Sequence, residues 1–182
     1  MHIPELVAHR GYALHYPENT LIGIEAAIRA GARYIEVDVQ LSADKVPVLF
    51  HDRTLDRLCR VEGTIHRYTR EELKAFHVFE FERFGYKFAQ NPITTLAELG
   101  ALLARHPPVT AFIELKRVSI EVFGVQTVLD SVLRALASLW SGAHSDGLAD
   151  YIATDYRNPP RISLPLAELE PPVAVHTPWF AD

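Results

Sequence analysis

The segment Tyr34-Ile35-Glu36-Val37-Asp38-Val39-Gln40-Leu41 restricts the fold more than any other part of the chain. Its β-branched residues favour a strand, and a strand sends alternate side chains to opposite faces. Ile35, Val37 and Val39 then share one face, and Glu36 and Asp38 share the other. Two carboxylates on one face repel each other and are costly to bury. A solvated face of an antiparallel sheet would tolerate them. A parallel sheet covered by helices would not, unless a bound cation offsets their charge.

The flanking sequence favours the parallel case. Leu6-Val7-Ala8 reads as a short buried strand running into His9-Arg10-Gly11, where Gly11 permits a sharp exit. Pro17-Glu18-Asn19-Thr20 opens a helix capped by Asn19 or Thr20, with Leu21, Ile24, Ala27 and Ile28 at helical spacing and Gly31 as its stop. After the strand over 34–41, the turn Ser42-Ala43-Asp44-Lys45 leads to a third strand, Val46 to Phe50, which ends at His51-Asp52. Strand, helix and strand in this order suggest a βαβ unit and a parallel sheet.

Residues 53–92 break that rhythm and read as an insertion over the carboxyl ends of the strands. Thr69-Arg70-Glu71-Glu72 and Thr95-Leu96-Ala97-Glu98 have capping-box spacing, so each predicts a helix start. A strand over Thr110 to Leu115 follows, then a long amphipathic helix over Val122 to Trp140. Tyr151 to Thr154 and Val173 to Val175 read as strands on either side of a proline-rich loop.

The length of 182 residues suits a single domain, 1–182. The net charge of −5, with no run of Lys or Arg, argues against a nucleic-acid surface. Cys59 is the one cysteine, which excludes an internal disulfide, and it reads as a small buried side chain. No stretch approaches the ~20 apolar residues of a membrane span. The residues Met1 to Glu5 lack the features of a signal peptide, so a cytoplasmic location is expected.

The residues able to carry chemistry gather around the carboxylate pair. Mg²⁺ and Ca²⁺ prefer oxygen ligands and would offset the charge of Glu36 and Asp38. Glu114 and Lys116 repeat the same-face pattern on a later strand. His9 and His51 both stand where an apolar strand ends, and sites in parallel α/β folds form at strand carboxyl ends. Two histidines there suit general base and general acid work near neutral pH. Arg10 offers the paired donors that fit a phosphate oxygen. His15 lies in the loop after His9, within reach of the same region, and the other histidines read as surface or packing residues.

His9-Arg10-Gly11, Pro17-Glu18-Asn19-Thr20, Glu36-Val37-Asp38-Val39, Pro47-Val48, His51-Asp52 and Glu114-Leu115-Lys116 closely resemble, in order and spacing, the motifs of glycerophosphodiester phosphodiesterases. The resemblance implies an α/β fold of the TIM (β/α)8 barrel type. It implies that Glu36, Asp38 and Glu114 bind Mg²⁺ or Ca²⁺, and that His9 and His51 form the acid–base pair. Arg10 and Lys116 would contact phosphate, and Glu18 would support the first loop. The implied reaction is hydrolysis of a small glycerophosphodiester to glycerol 3-phosphate and an alcohol.

An eight-stranded barrel usually takes about 250 residues. Residues 141–182 therefore read as an atypical, shortened end, and the barrel as incomplete or degenerate in its C-terminal third. A truncated chain, a homodimer that closes the open barrel, or a degenerate member with Trp179 and Phe180 as a replacement wall would each account for this. The alternative functions are a non-catalytic module that keeps the motifs, or a related barrel phosphodiesterase of the sphingomyelinase D or phospholipase kind.

Overall fold

A computed structural model describes residues 6–106, 108–137 and 173–176. Strand β1 (Val7–His9) leads through a tight loop to helix α1 (Leu21–Arg29). Strand β2 (Tyr34–Leu41) follows with the bounds expected from its alternation, and a turn connects it to β3 (Pro47–Leu49). Short helices α2 (Asp56–Cys59), α3 (Arg70–Leu73) and α4 (Phe81–Phe84) fill the next stretch. Helix α5 (Leu96–Leu103), strand β4 (Thr110–Leu115), helices α6 (Arg117–Phe123) and α7 (Val125–Ala137), and strand β5 (Val173–His176) complete the order. No helix among the described residues is long and apolar enough to cross a membrane.

The sheet runs β1-β2-β4-β5, with all of these neighbours parallel. The α/β class with a parallel, barrel-type sheet is thus borne out, as is the strand at Val173. The strand expected at Tyr151 to Thr154, together with Trp179 and Phe180, lies outside the described residues.

Two expectations are corrected. The third strand is antiparallel to β2, with Val39 opposite Leu49 and Leu41 opposite Pro47. The reason is the short turn before it: Ser42 N–H donates to the Val46 carbonyl at 3.1 Å, and a connection that brief can make only a hairpin. The helix expected over Val122 to Trp140 is two helices, α6 and α7. Gly124 separates them at φ 78°, a left-handed conformation that interrupts the α-helical run.

Local chemistry explains the helix starts. Thr20 rather than Asn19 caps α1, its hydroxyl accepting from Gly23 N–H. Thr69 and Thr95 each form the reciprocal capping box, with Glu72 and Glu98 respectively. Gly11, at φ 85°, lies so close to α1 that a Cβ there would stand 2.9 Å from the backbone of Gly23 and Ile24.

Two hydrophobic cores result. Ile35, Val37, Val39 and Leu41 on β2 pack with Ala111, Ile113 and Leu115 of β4, and with Ile24, Leu99 and Val132 from α1, α5 and α7. Each fully buried aliphatic side chain contributes about 1.5–3 kcal/mol. The second core lies beneath the short helices and contains Leu55, Leu58, Cys59, Ile65, Leu73 and Val78. Strand β3 divides them: Leu49 enters the first core, while Val48 and Phe50 enter the second. The sheet face opposite the first core is left to Glu36, Asp38 and Gln40.

Candidate active site

The antiparallel return of β3 sets the geometry of the site. Carbonyls two residues apart on a strand point the same way. Arg10 N–H, just past β1, donates to the Glu36 carbonyl at 2.9 Å, and Phe50 N–H, just past β3, donates to the Asp38 carbonyl at 2.9 Å. The end of β3 therefore takes over the edge of β2 that β1 has left. His9 and His51 reach the same edge from opposite directions. His51 follows a returning hairpin strand, not a second parallel strand as expected.

Glu36 and Asp38 on β2 and Glu114 on β4 bring one ligand oxygen each to within 4.8 Å of one another. Asp38 is fully buried and pairs opposite Glu114 in the β2–β4 register. Arg10 Nε stands 3.0 Å and Lys116 Nζ 3.3 Å from its carboxylate oxygens. Lys116 Nζ also donates to Glu114 Oε1 at 2.6 Å. Asn19 grips Asp38 twice: its Nδ2 donates to Asp38 Oδ2 at 2.8 Å, and its Oδ1 accepts from Asp38 N–H at 3.0 Å.

Glu36 is less well served. Its Oε2 accepts from Arg10 N–H at 3.2 Å and lies 3.7 Å from His9 Nε2, while its Oε1 is buried without a hydrogen-bond partner. Burial first, then the neighbouring charges of Asp38 and Glu114, push its carboxyl up to about 7. Burial, and then the Arg10 guanidinium, lower the His9 pKa.

A second cluster joins Glu18, His51 and Asp52. Here a cation is already built in. Arg57 Nη2 donates to Glu18 Oε1 at 2.8 Å, and its Nε donates to Asp52 Oδ2 at 2.6 Å. Glu18 also takes Arg10 Nη1 at 3.1 Å. Asp52 Oδ1 lies 2.7 Å from His51 Nδ1. Burial pushes the Asp52 carboxyl up, but hydrogen bonds from Arg57 and His51 outweigh it and hold the group at about 2. Gln40 Nε2 donates to three successive carbonyls, those of Phe50, His51 and Asp52, at 3.1, 3.2 and 2.7 Å.

Across both clusters, Glu18, Glu36, Asp38, Asp52 and Glu114 face only Arg10, Arg57 and Lys116 as permanent cations among the described residues. The negative excess centres on the three carboxylates of β2 and β4, where Glu36 Oε1 is orphaned. That donor set fits a hard divalent ion.

The structure thus brings His9, Arg10, Glu18, Glu36, Asp38, His51, Glu114 and Lys116 to one end of the sheet. His15 stays exposed, its ring meeting Tyr12 edge-on at 5.0 Å. Cys59 is buried in the second core, and burial raises its thiol to about 12. Asn19, Gln40, Asp52 and Arg57 were not read from the sequence as partners of the site. Asn19 and Asp52 stand in the sequence motifs and Gln40 shares the strand face of Glu36 and Asp38, whereas Arg57 carries no local signal. Asn19 sits at φ 55°, a left-handed backbone its residue type tolerates. A cavity of about 510 Å³ runs along the far edge of β1 beside Leu6, Val7, Tyr12, Ala30 and Tyr34, and none of the site carboxylates lines it.

Residues 9–150 match the sequence model of the glycerophosphoryl diester phosphodiesterase family. A glycerophosphodiester phosphodiesterase from Caldanaerobacter subterraneus is 41% identical over 98 residues, 54% of this chain and 40% of that protein. Among solved structures, a phosphodiesterase from Oleispira antarctica, in complex with the product sn-glycerol-3-phosphate, superposes with a TM-score of 0.67 at 30% identity. The superposition covers 79% of this chain and 55% of that one. A glycerophosphodiester phosphodiesterase from Thermotoga maritima superposes with a TM-score of 0.56 at 32% identity, over 74% and 50% of the two chains. The matched region thus amounts to about half or less of each of these relatives.

Proposed function

The chain belongs to the glycerophosphoryl diester phosphodiesterase family, and from that premise we propose that it hydrolyses a glycerophosphodiester to glycerol 3-phosphate and an alcohol. One observation carries the proposal. Three carboxylates on two adjacent parallel strands converge within 4.8 Å, with two buried oxygens, Glu36 Oε1 and Asp38 Oδ1, lacking a hydrogen bond, at the strand edge that His9 and His51 both approach. The Oleispira relative, solved with sn-glycerol-3-phosphate, supports the substrate class.

Glu36, Asp38 and Glu114 would hold Mg²⁺ or Ca²⁺. When bound, such an ion supplies charge stabilisation for the phosphoryl oxygens. Arg10 and Lys116 border the same carboxylates and add fixed positive charge where negative charge develops. The 2.7 Å contact with Asp52 Oδ1 fixes the His51 ring with Nδ1 toward that carboxylate and leaves Nε2 as its other functional nitrogen. His51 then serves as the acid that protonates the leaving alkoxide. His9, on the opposite approach to the same edge, takes the proton from the nucleophile, which is water or a substrate hydroxyl. Glu18 holds Arg10 and Arg57 in place. Residues 53–92, which supply Arg57, act in this reading as an insertion over the strand ends within a single domain. The proposal extends to a cytoplasmic protein acting on a soluble diester, alone or as a homodimer.

The alternative, a non-catalytic module that keeps the motifs, rests on length, since the match covers 40% of the Caldanaerobacter relative. One assay decides between them: turnover of glycerophosphocholine by the folded chain with Mg²⁺ or Ca²⁺, against the same sample in chelator. Metal-dependent turnover is expected. A well-folded sample without it would sink the enzymatic reading.

A further inference from the structure

Glu80 belongs to none of the sequence motifs, yet it is 2% exposed and precedes α4 with its backbone at φ 44°, ψ 65°. This left-handed conformation disfavours a residue that carries a Cβ. The side chain, not the backbone, gives a reason for glutamate here. Its Oε1 accepts from Glu18 N–H at 2.6 Å across a separation of 62 residues, and its Oε2 accepts from Arg83 Nη1 at 2.7 Å. Arg83 Nη2 donates to the carbonyl of Ala13 as well. Glu80 N–H and Phe79 N–H donate to the Leu58 carbonyl at 3.2 and 3.0 Å, next to Arg57. The short-helix region therefore grips the loop between β1 and α1 at residues 13, 14 and 18.

What that loop presents is the cationic and carboxylate end of the site. Glu18 accepts from Arg10, and Asn19, the next residue, holds both the amide and the carboxylate of Asp38. We propose that Glu80, seated by Arg83, is a positioning residue: it fixes the Glu18–Asn19 backbone and thereby holds the Arg10 guanidinium where a phosphate binds. This rests on the phosphodiesterase reading for the identity of the anion. A buried carboxylate accepting from a backbone N–H is a strong tether, and losing it leaves that N–H without a partner.

The test uses Glu80→Ala, Glu80→Gln and Arg83→Met, with Glu82→Ala as control, because Glu82 is 81% exposed on the same helix. Steady-state constants for glycerophosphocholine and calorimetric binding of inorganic phosphate are measured on samples checked by circular dichroism. Glu80→Ala is expected to raise KM and the phosphate Kd by about tenfold, with kcat falling by less. Glu80→Gln keeps an oxygen that accepts from Glu18 N–H and should recover most of that loss. Arg83→Met should lie between the two and covers the case in which Glu80→Ala fails to fold, and Glu82→Ala should match wild type. Wild-type phosphate binding and KM in folded Glu80→Ala, a loss confined to kcat, or Glu80→Gln no better than Glu80→Ala, would each overturn the proposal. Should the wild type bind phosphate without turnover, the enzymatic reading fails, while weaker phosphate binding by Glu80→Ala still upholds the positioning role. A wild type that binds no phosphate overturns the positioning role, while the turnover assay still decides the enzymatic reading.

Discussion

Replacing Asn19 by alanine tests how tightly the site is tied to the fold. The side chain is 1% exposed, its backbone stands at φ 55°, and it makes two bonds to Asp38, which is itself fully buried. The substitution removes a bond from an amide to a buried carboxylate, worth about 1.5–3 kcal/mol, and strands the Asp38 amide, at about 1–3 kcal/mol. Alanine in a left-handed conformation adds about 1 kcal/mol. Both bonds end on one residue, so the losses overlap, and a net destabilisation of about 3–5 kcal/mol is expected. Asn19→Gly loses the same bonds without the Cβ penalty and should be about 1 kcal/mol milder. Asn19→Asp places a second carboxylate against Asp38 and should be rescued in part by divalent metal. Urea denaturation of the metal-free proteins gives these differences directly. A loss below about 1 kcal/mol for Asn19→Ala, in a two-state transition with unchanged slope, would refute the argument that this amide holds the buried acid.

Three further outcomes follow from the same geometry. His9→Ala and His51→Ala should each lower turnover by about 10²–10⁴-fold with little change in fold, and retained turnover would remove that histidine from the mechanism. Glu36, raised from its ordinary 4.5 to about 7, binds its proton more tightly folded than unfolded. Stability in chelator should therefore fall as pH rises from about 4.5 to 7, and added Mg²⁺ or Ca²⁺ should reverse that fall; a thermal-melt series that is flat over this range would contradict it. Asp52, held at about 2 against an ordinary 3.8, shifts the other way: its contribution is present above about 4 and disappears as pH falls from there to 2. Arg57→Ala should flatten that acid limb. The effect is about 1 kcal/mol once the 45% exposure of the Arg57 side chain is allowed for, and an unchanged acid-unfolding profile would show that Arg57 does not hold Asp52 down.

The sequence was most legible where structure is local. The alternation of β2, both capping boxes and the same-face pairs Glu36/Asp38 and Glu114/Lys116 follow from spacing alone, because a strand's two faces and a helix's first turn are set within a few residues. That the two pairs meet depends on the β2–β4 pairing. Reading the third strand as one more step toward a parallel sheet overlooked the brevity of the Ser42–Lys45 turn, which by itself specifies a hairpin. The single helix expected over 122–140 ignored Gly124. Arg57 and Glu80 left no local trace. They meet Glu18 across separations of 39 and 62 residues, and only the packing of the second core brings them there.

Strand β3 deserves a last consequence. Its three residues send Leu49 to one core and Val48 to the other, while Phe50 just beyond joins Val48, and His51 follows directly. Because sides alternate with every residue, adding or deleting one residue in the 42–46 turn would exchange those side chains between cores and turn His51 away from β2. A change of two residues would preserve the parity. Length variation in this turn is therefore quantised in even steps wherever His51 is kept at the site, which makes a three-residue strand the counting device that phases one half of the site against the other.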